Sequence, residues 1–388
     1  MTDRERMLAA IRGAMPDRVP FVPRLEFWYR ARQRDGRMPA EFRSLSLMEI
    51  ADRLGVGFYA IVPDFTDAPE EDKADRALGI VQQAQMPFRV SIDRRVSRSG
   101  LETTVEYHTP VGTIRTAFAF TEEMLAGGVS DPCVTRYAIG EPRDFESVAY
   151  LFSHLRVEPQ TAGLETARQR TGERGIVVAY AGGQACPIHH IMAELMPLEK
   201  FFYAATDCPA TVEGLAEQME PYYAQIKAAA ASSPAEVVLL GSNYDDSITY
   251  PTFFRRHILP PLRDYAALLH SRGKFLMTHT DGENRKLLSL YLAARLDAAD
   301  SVCPYPMTRC RLEEVREAFD GRITIVGGIP SILLCPGLTT LEEFQAFVDS
   351  ALERYGHQSR MIFGVSDMVT ADADWTRLEY IAERIARL

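Results

Sequence analysis

Several things are missing from this chain of 388 residues, and each absence excludes a class. The six cysteines form no CxxC pair, and in a chain of this length such scatter suggests reduced thiols rather than a disulfide framework. No stretch approaches the roughly 18 apolar residues that span a bilayer, so no membrane partner is expected. The N-terminus, MTDRERMLAAIRGAMPDRVP, is charged from its third residue and has no apolar core, so no secretory signal is expected. There is no long basic run. With 43 Lys and Arg against 53 Asp and Glu, the net charge is −10, a poor match for nucleic acid. A cytoplasmic protein is the expectation. Apolar residues at 46% and charged residues at 25% are ordinary globular values, which excludes a disordered, collagenous or coiled-coil chain.

What is present is alternation. Arg4–Met15 has helical spacing with Met7, Leu8 and Ile11 on one face. Strands are expected at 19–27, 57–62, 175–181, 236–241, 274–279, 297–302, 322–328 and 360–365. Helices are expected between them, among them 46–54, 251–272, one from 284, 311–319, 340–355 and 374–387. Residues 87–140 break the rhythm with period-two runs around turn residues, the mark of an antiparallel β insertion after the second strand. Strand–helix alternation predicts α/β architecture with a parallel sheet, and eight units predict a closed (β/α)8 TIM barrel over 1–388, a single domain carrying the insertion. A doubly wound open sheet is the rival, but PRLEFWY after the first strand lacks the glycine-rich turn it would want.

In such a barrel the active site lies at the C-terminal strand ends, and titratable groups collect there. Strand one ends in Glu26, Trp28 and Tyr29, with Arg24 before them, and strand two in Asp64. Strand four ends in Asn243, Tyr244, Asp245 and Asp246; strand five in His279 and Asp281; strand six in Cys303 and Tyr305; strand eight in Asp367. On a strand end residues i and i+2 point the same way, so His279 and Asp281 can converge on a metal or a proton. Asp281 could equally cap a helix starting near Asn284. Asp367, Asp245 and Cys303 are candidates to complete a mixed site, although a buried free cysteine also behaves as a small hydrophobe. No tight ligand spacing such as HExxH is present. Asn243 and Asp245 share a parity that would face the barrel mouth, while Asp246 or Ser247 could form an Asx turn. His189 and His190 are adjacent, so on a helix at most one points inward. Trp28, Tyr29, Tyr244 and Tyr305 could wall an aromatic pocket or fill a core.

RERMLAAIRGAMPDRVP, HTDGENRKLLSLYLAARLDAADS, ITIVGGIPSILL and GLTTLEEFQAFVDSALE, in that order, resemble the uroporphyrinogen decarboxylase superfamily, which includes corrinoid-linked, zinc-dependent methyltransferases. The resemblance implies a (β/α)8 barrel. The decarboxylase branch carries an Arg-Gln-Ala-Gly-Arg block after the first strand; here that region reads WYRARQRDGRMPAEFR, without the intact block. The methyltransferase branch often carries His-x-Cys-Gly and a later cysteine; here His279-Thr-Asp281-Gly282 and Ser366-Asp367 stand in those places. Zinc accepts His and Asp ligands, though a set without thiolates is harder and less zinc-selective.

The first expectation is therefore a methyltransferase or demethylase acting on a small methylated substrate such as an aryl methyl ether. Zinc would be held by His279, Asp281, Asp367 and Cys303, and the methyl would pass to a cobalamin-type corrinoid on a partner protein. Asp245, Tyr244, Asn243 and Asp64 would be catalytic, and Glu26, Trp28, Tyr29, Tyr305 and Arg24 would bind substrate. A homodimer is compatible with this reading. One alternative is a metal-free decarboxylase in which Arg24 or Arg30 clamps a carboxylate. Another is a non-catalytic tetrapyrrole or corrinoid binder.

Overall fold

The computed structural model describes residues 1–62, 74–83 and 85–388; Asp64 lies outside the described residues. Among the described residues thirteen strands follow one another: β1 Phe58–Val62, β2 Phe88–Ser91, β3 Arg95–Ser99, β4 Glu102–Thr109, β5 Gly112–Ala119, β6 Cys133–Arg136, β7 Arg156–Pro159, β8 Gly175–Gly182, β9 Val237–Leu240, β10 Phe275–His279, β11 Ala298–Val302, β12 Thr324–Pro330 and β13 Met361–Ser366. Seven of them form one parallel sheet in the order β1-β8-β9-β10-β11-β12-β13. Strands β9, β11, β12 and β13 are buried throughout, as parallel strands covered on both faces must be. Helices follow the strands, including Ala162–Thr171 before β8, Leu259–Ser271 after β9, Leu341–Tyr355 after β12 and Trp375–Ala386 after β13.

The expected first strand, 19–27, is not a strand. A single bridge at Phe21 remains of it, and a helix starts at Glu26. Pro20 and Pro23 flank the bridge and can donate nothing to a ladder. The short segment still touches both sheet edges. Val22 N donates to Phe363 O, Phe363 N to Pro20 O, and Gly57 N to Phe21 O. The parallel sheet is thus curled, with these three residues between its first and last strands.

One end of the curled sheet is plugged. The helix Asp3–Arg12 has a capping box between Thr2 and Glu5 and ends at Gly13 in the left-handed region. Its Met7, Leu8, Ala10 and Ile11 pack among Tyr59, Ile176, Val178, Val237, Leu239, Met277, Ala298, Val326 and Ile362, the inward residues of the strands. Thr324 Oγ1, at the start of β12, donates to Ala10 O, and Arg360, just before β13, donates to Ile11 O. The helix therefore closes the N-terminal end of the sheet, and the inward polar residues collect at the other end.

The antiparallel insertion is present as a four-stranded sheet in the order β3-β4-β5-β6. It reaches beyond the expected 87–140, because β2 pairs antiparallel with β7 at Arg156–Pro159. Among the described residues no helix is long and apolar enough to cross a membrane.

Candidate metal centre

His279 closes β10, two residues above Met277 on the inward face. The parallel register sets it opposite Asp300 of β11. Its Nδ1 donates to Asp300 Oδ2 at 2.7 Å, and its Nε2 lies 3.6 Å from Asp367 Oδ1. Asp367 follows the last residue of β13. His279, Asp281 and Asp367 each offer a ligand atom, and these atoms lie within 4.8 Å of one another. Two strand ends, those of β10 and β13, thus bring one imidazole nitrogen and two carboxylates together, a donor set that divalent cations, zinc included, accept. A ligating histidine ordinarily donates its other ring nitrogen to a carboxylate, and Asp300 fills that place. By chemistry and arrangement these residues fit a cation.

Asp300 and Ser301 were not singled out in the sequence. The signal was faint: two polar residues inside the strand AADSV, with Asp300 on the inward parity of Ala298. A register shift between Ala299 and Val302 and a positive φ of 59° at Ser301 form a bulge there. Consecutive side chains therefore both reach the site. Asp300 meets His279, and Ser301 Oγ donates to Asp367 Oδ1 at 2.6 Å.

The loop bearing Asp281 is shaped by Asn284. Its amide donates to Thr280 O at 2.7 Å and Gly282 O at 2.8 Å, and Tyr291 holds its oxygen. Gly282 takes a φ of 93°, which glycine accommodates, and its N–H donates to Asp281 Oδ1. Because Asn284 folds back, no helix begins there. The next one is Leu288–Ala293, so Asp281 caps none.

Burial would lower the His279 imidazole, but the Asp367 carboxylate and the hydrogen bond and charge of Asp300 override it and hold it at about 9. Asp281 is pushed up by burial, offset in part by His279. Asp367 is held down: burial opposes this, but His279 and Arg24 outweigh it. Arg24, 7% exposed, sits with Nη1 3.2 Å from Asp367 Oδ1. Cys303 is buried beside the triad, and burial followed by the charges of Asp281 and Asp367 pushes its thiol up to about 12. It is not among the three grouped ligands.

The remaining candidates are not among the three grouped ligands. Tyr244 is fully buried, stacked on His189 and packed against Phe254 and Tyr291, with its oxygen accepting from Thr278 Oγ1. Asn243 is exposed with a φ of 52°. Asp245, not Asp246 or Ser247, makes the Asx turn: its Oδ1 accepts from Ser247 N at 2.8 Å. Asp246 instead holds Lys286. Gly241 at φ 83° turns the chain here and ends the strand alternation. A Cβ on it would strike the Tyr244 hydroxyl.

Trp28, 1% exposed, is core, packed against Phe42 and Trp375. Glu26 and Tyr29 stand on a helix rather than a strand end. With Tyr59 and Arg170 they line a cavity of about 310 Å³ beside β1. Tyr305 is 61% exposed. His189 and His190 are both buried, and neither is among the three grouped ligands; His190 bonds Leu78 O and the Tyr223 hydroxyl.

No family model and no curated protein matches this chain. Among solved structures, a methyltransferase from Methanosarcina mazei is similar, with a TM-score of 0.53 and 14% identity over 100% of this chain and 99% of that one. At that identity the likeness is one of fold, and it extends over the whole chain.

Proposed function

We propose that this chain is a metal-assisted methyltransferase or demethylase. It would take a methyl group from a small methylated substrate, such as an aryl methyl ether, and pass it to a corrinoid carried by a partner protein. The observation that carries the reading is the His279–Asp281–Asp367 triad with Asp300 behind the imidazole. Support also comes from a full-length fold neighbour that is a methyltransferase. In this reading the Pro20–Val22 segment is the eighth stave of a closed barrel.

His279 Nε2 and one oxygen each of Asp281 and Asp367 are the ligands. A cation held there would polarise the substrate heteroatom as a Lewis acid. Asp300 fixes the imidazole so that Nε2 faces inward, and Ser301 steadies Asp367. Helix Asp3–Arg12 seals the far end of the sheet, so substrate enters from the strand C-terminal side. Tyr244 and Trp28 serve as packing in this scheme, since neither is exposed to a ligand.

The test is turnover of an aryl methyl ether by metal-loaded protein with free cob(I)alamin as acceptor. Loss of the cob(I)alamin absorbance, dependent on His279, is the expected result. Release of carbon dioxide from a carboxylated ring compound by metal-stripped protein would overturn the proposal in favour of a decarboxylase.

A further inference from the structure

The oxygen nearest His279 Nε2 is already engaged. Asp367 Oδ1, 3.6 Å from that nitrogen, accepts from Ser301 Oγ at 2.6 Å and from Arg24 Nη1 at 3.2 Å. An ion shared by His279 and Asp367 would draw on the same oxygen. Arg24 has Asp367 as its side-chain hydrogen-bond partner among the described residues. Its side chain is 7% exposed, and its Nε is buried without a hydrogen-bond partner among the described residues. A guanidinium cannot shed its proton, so the positive charge stays wherever the side chain stays. A divalent ion a few ångströms away in a half-buried site would be repelled by it.

Resting on the cation-site reading above, the geometry points to Arg24 as a gate on that site. The Arg24–Asp367 ion pair and an ion held by all three ligands are alternative occupants of one carboxylate. Loading the site requires the guanidinium to leave Asp367. Glu26, two residues along the chain, already attracts Arg24 electrostatically and offers the displaced guanidinium a second carboxylate. Arg24 would thereby set the affinity of the centre without ligating anything.

The experiment is competition between a chelating dye and metal-stripped protein for Zn2+ and Co2+. It compares the wild type with Arg24→Gln and Arg24→Lys. Arg24→Gln removes the charge, and its affinity is expected to be tighter by on the order of tenfold or more. Arg24→Lys keeps the charge and should stay within about threefold of the wild type. Equal or weaker binding by Arg24→Gln overturns the gate. Should Arg24→Gln not fold, the Arg24 Nε–H resonance of the wild type, identified by its loss in Arg24→Lys, supplies the measurement. It should shift on Zn2+ saturation, and an unmoved resonance contradicts the proposal. If wild type binds and Arg24→Gln binds no tighter, only the gate falls; if neither takes up metal, the cation-site reading falls with it.

Discussion

His279 Nδ1 lies 2.7 Å from Asp300 Oδ2, across two adjacent strands whose register sets these residues opposite one another. The pairing decides which imidazole nitrogen is left to face Asp367. Replacing Asp300 by Asn keeps the shape and removes the charge. Metal affinity should then fall by roughly 10–100-fold, as for other outer-sphere carboxylates. The His279 pKa in metal-free protein should drop below its value of about 9. Dye competition and a histidine NMR titration read the two effects. An unchanged affinity would mean that Asp300 is only a structural partner.

Protonation gives a second prediction. Burial, reinforced by their mutual repulsion, holds His189 at about 3; burial also holds His190 at about 4. Both values lie below the ordinary 6.5, so the unfolded chain binds protons that the folded chain refuses. Their contribution is complete above pH 6.5 and is lost as pH falls toward 4, on the order of a few kcal/mol. His279 acts in the opposite sense. Its folded value of about 9 exceeds 6.5, so its contribution is complete below 6.5 and is lost as pH rises through 9. Metal-free protein should be most stable near pH 6.5, as urea unfolding across pH would show. His190→Gln should flatten the acid limb alone. Metal affinity should climb with pH up to about 9, because the ion must displace the His279 proton.

Trp28 supports the fold. Packed against Phe42 and Trp375 at 1% exposure, it should cost about 3–5 kcal/mol when replaced by Ala. Denaturant midpoints measure this. Residual folded Trp28→Ala protein should bind metal as the wild type does, and a selective loss of metal binding would instead place Trp28 at the site.

Much of the architecture was legible because strand parity and helix periodicity are local. Seven of the eight expected core strands appear, and His279 and Asp281, which period two expects to converge, offer ligand atoms within 4.8 Å of each other. The expected first strand does not form, because the apolar run between Pro20 and Pro23 has the composition of a strand but too few donors for one. Parity also fails at 243–245, where positive φ at Gly241 and Asn243 breaks the strand alternation. Asp300 and Ser301 escaped notice for a related reason. A bulge lets neighbours point to one place, and nothing in AADSV announces a bulge. Arg24 and Asp367 are 343 residues apart, a pairing that the curling of the sheet creates.

The most direct test of the account is metal content. Purified wild type, His279→Ala and Asp367→Asn would be loaded with Zn2+, desalted and assayed by elemental analysis. The account predicts about one zinc per wild-type chain, and little in either variant while both keep wild-type unfolding midpoints. No zinc in the wild type, or undiminished zinc in His279→Ala, would contradict a cation held by His279, Asp281 and Asp367.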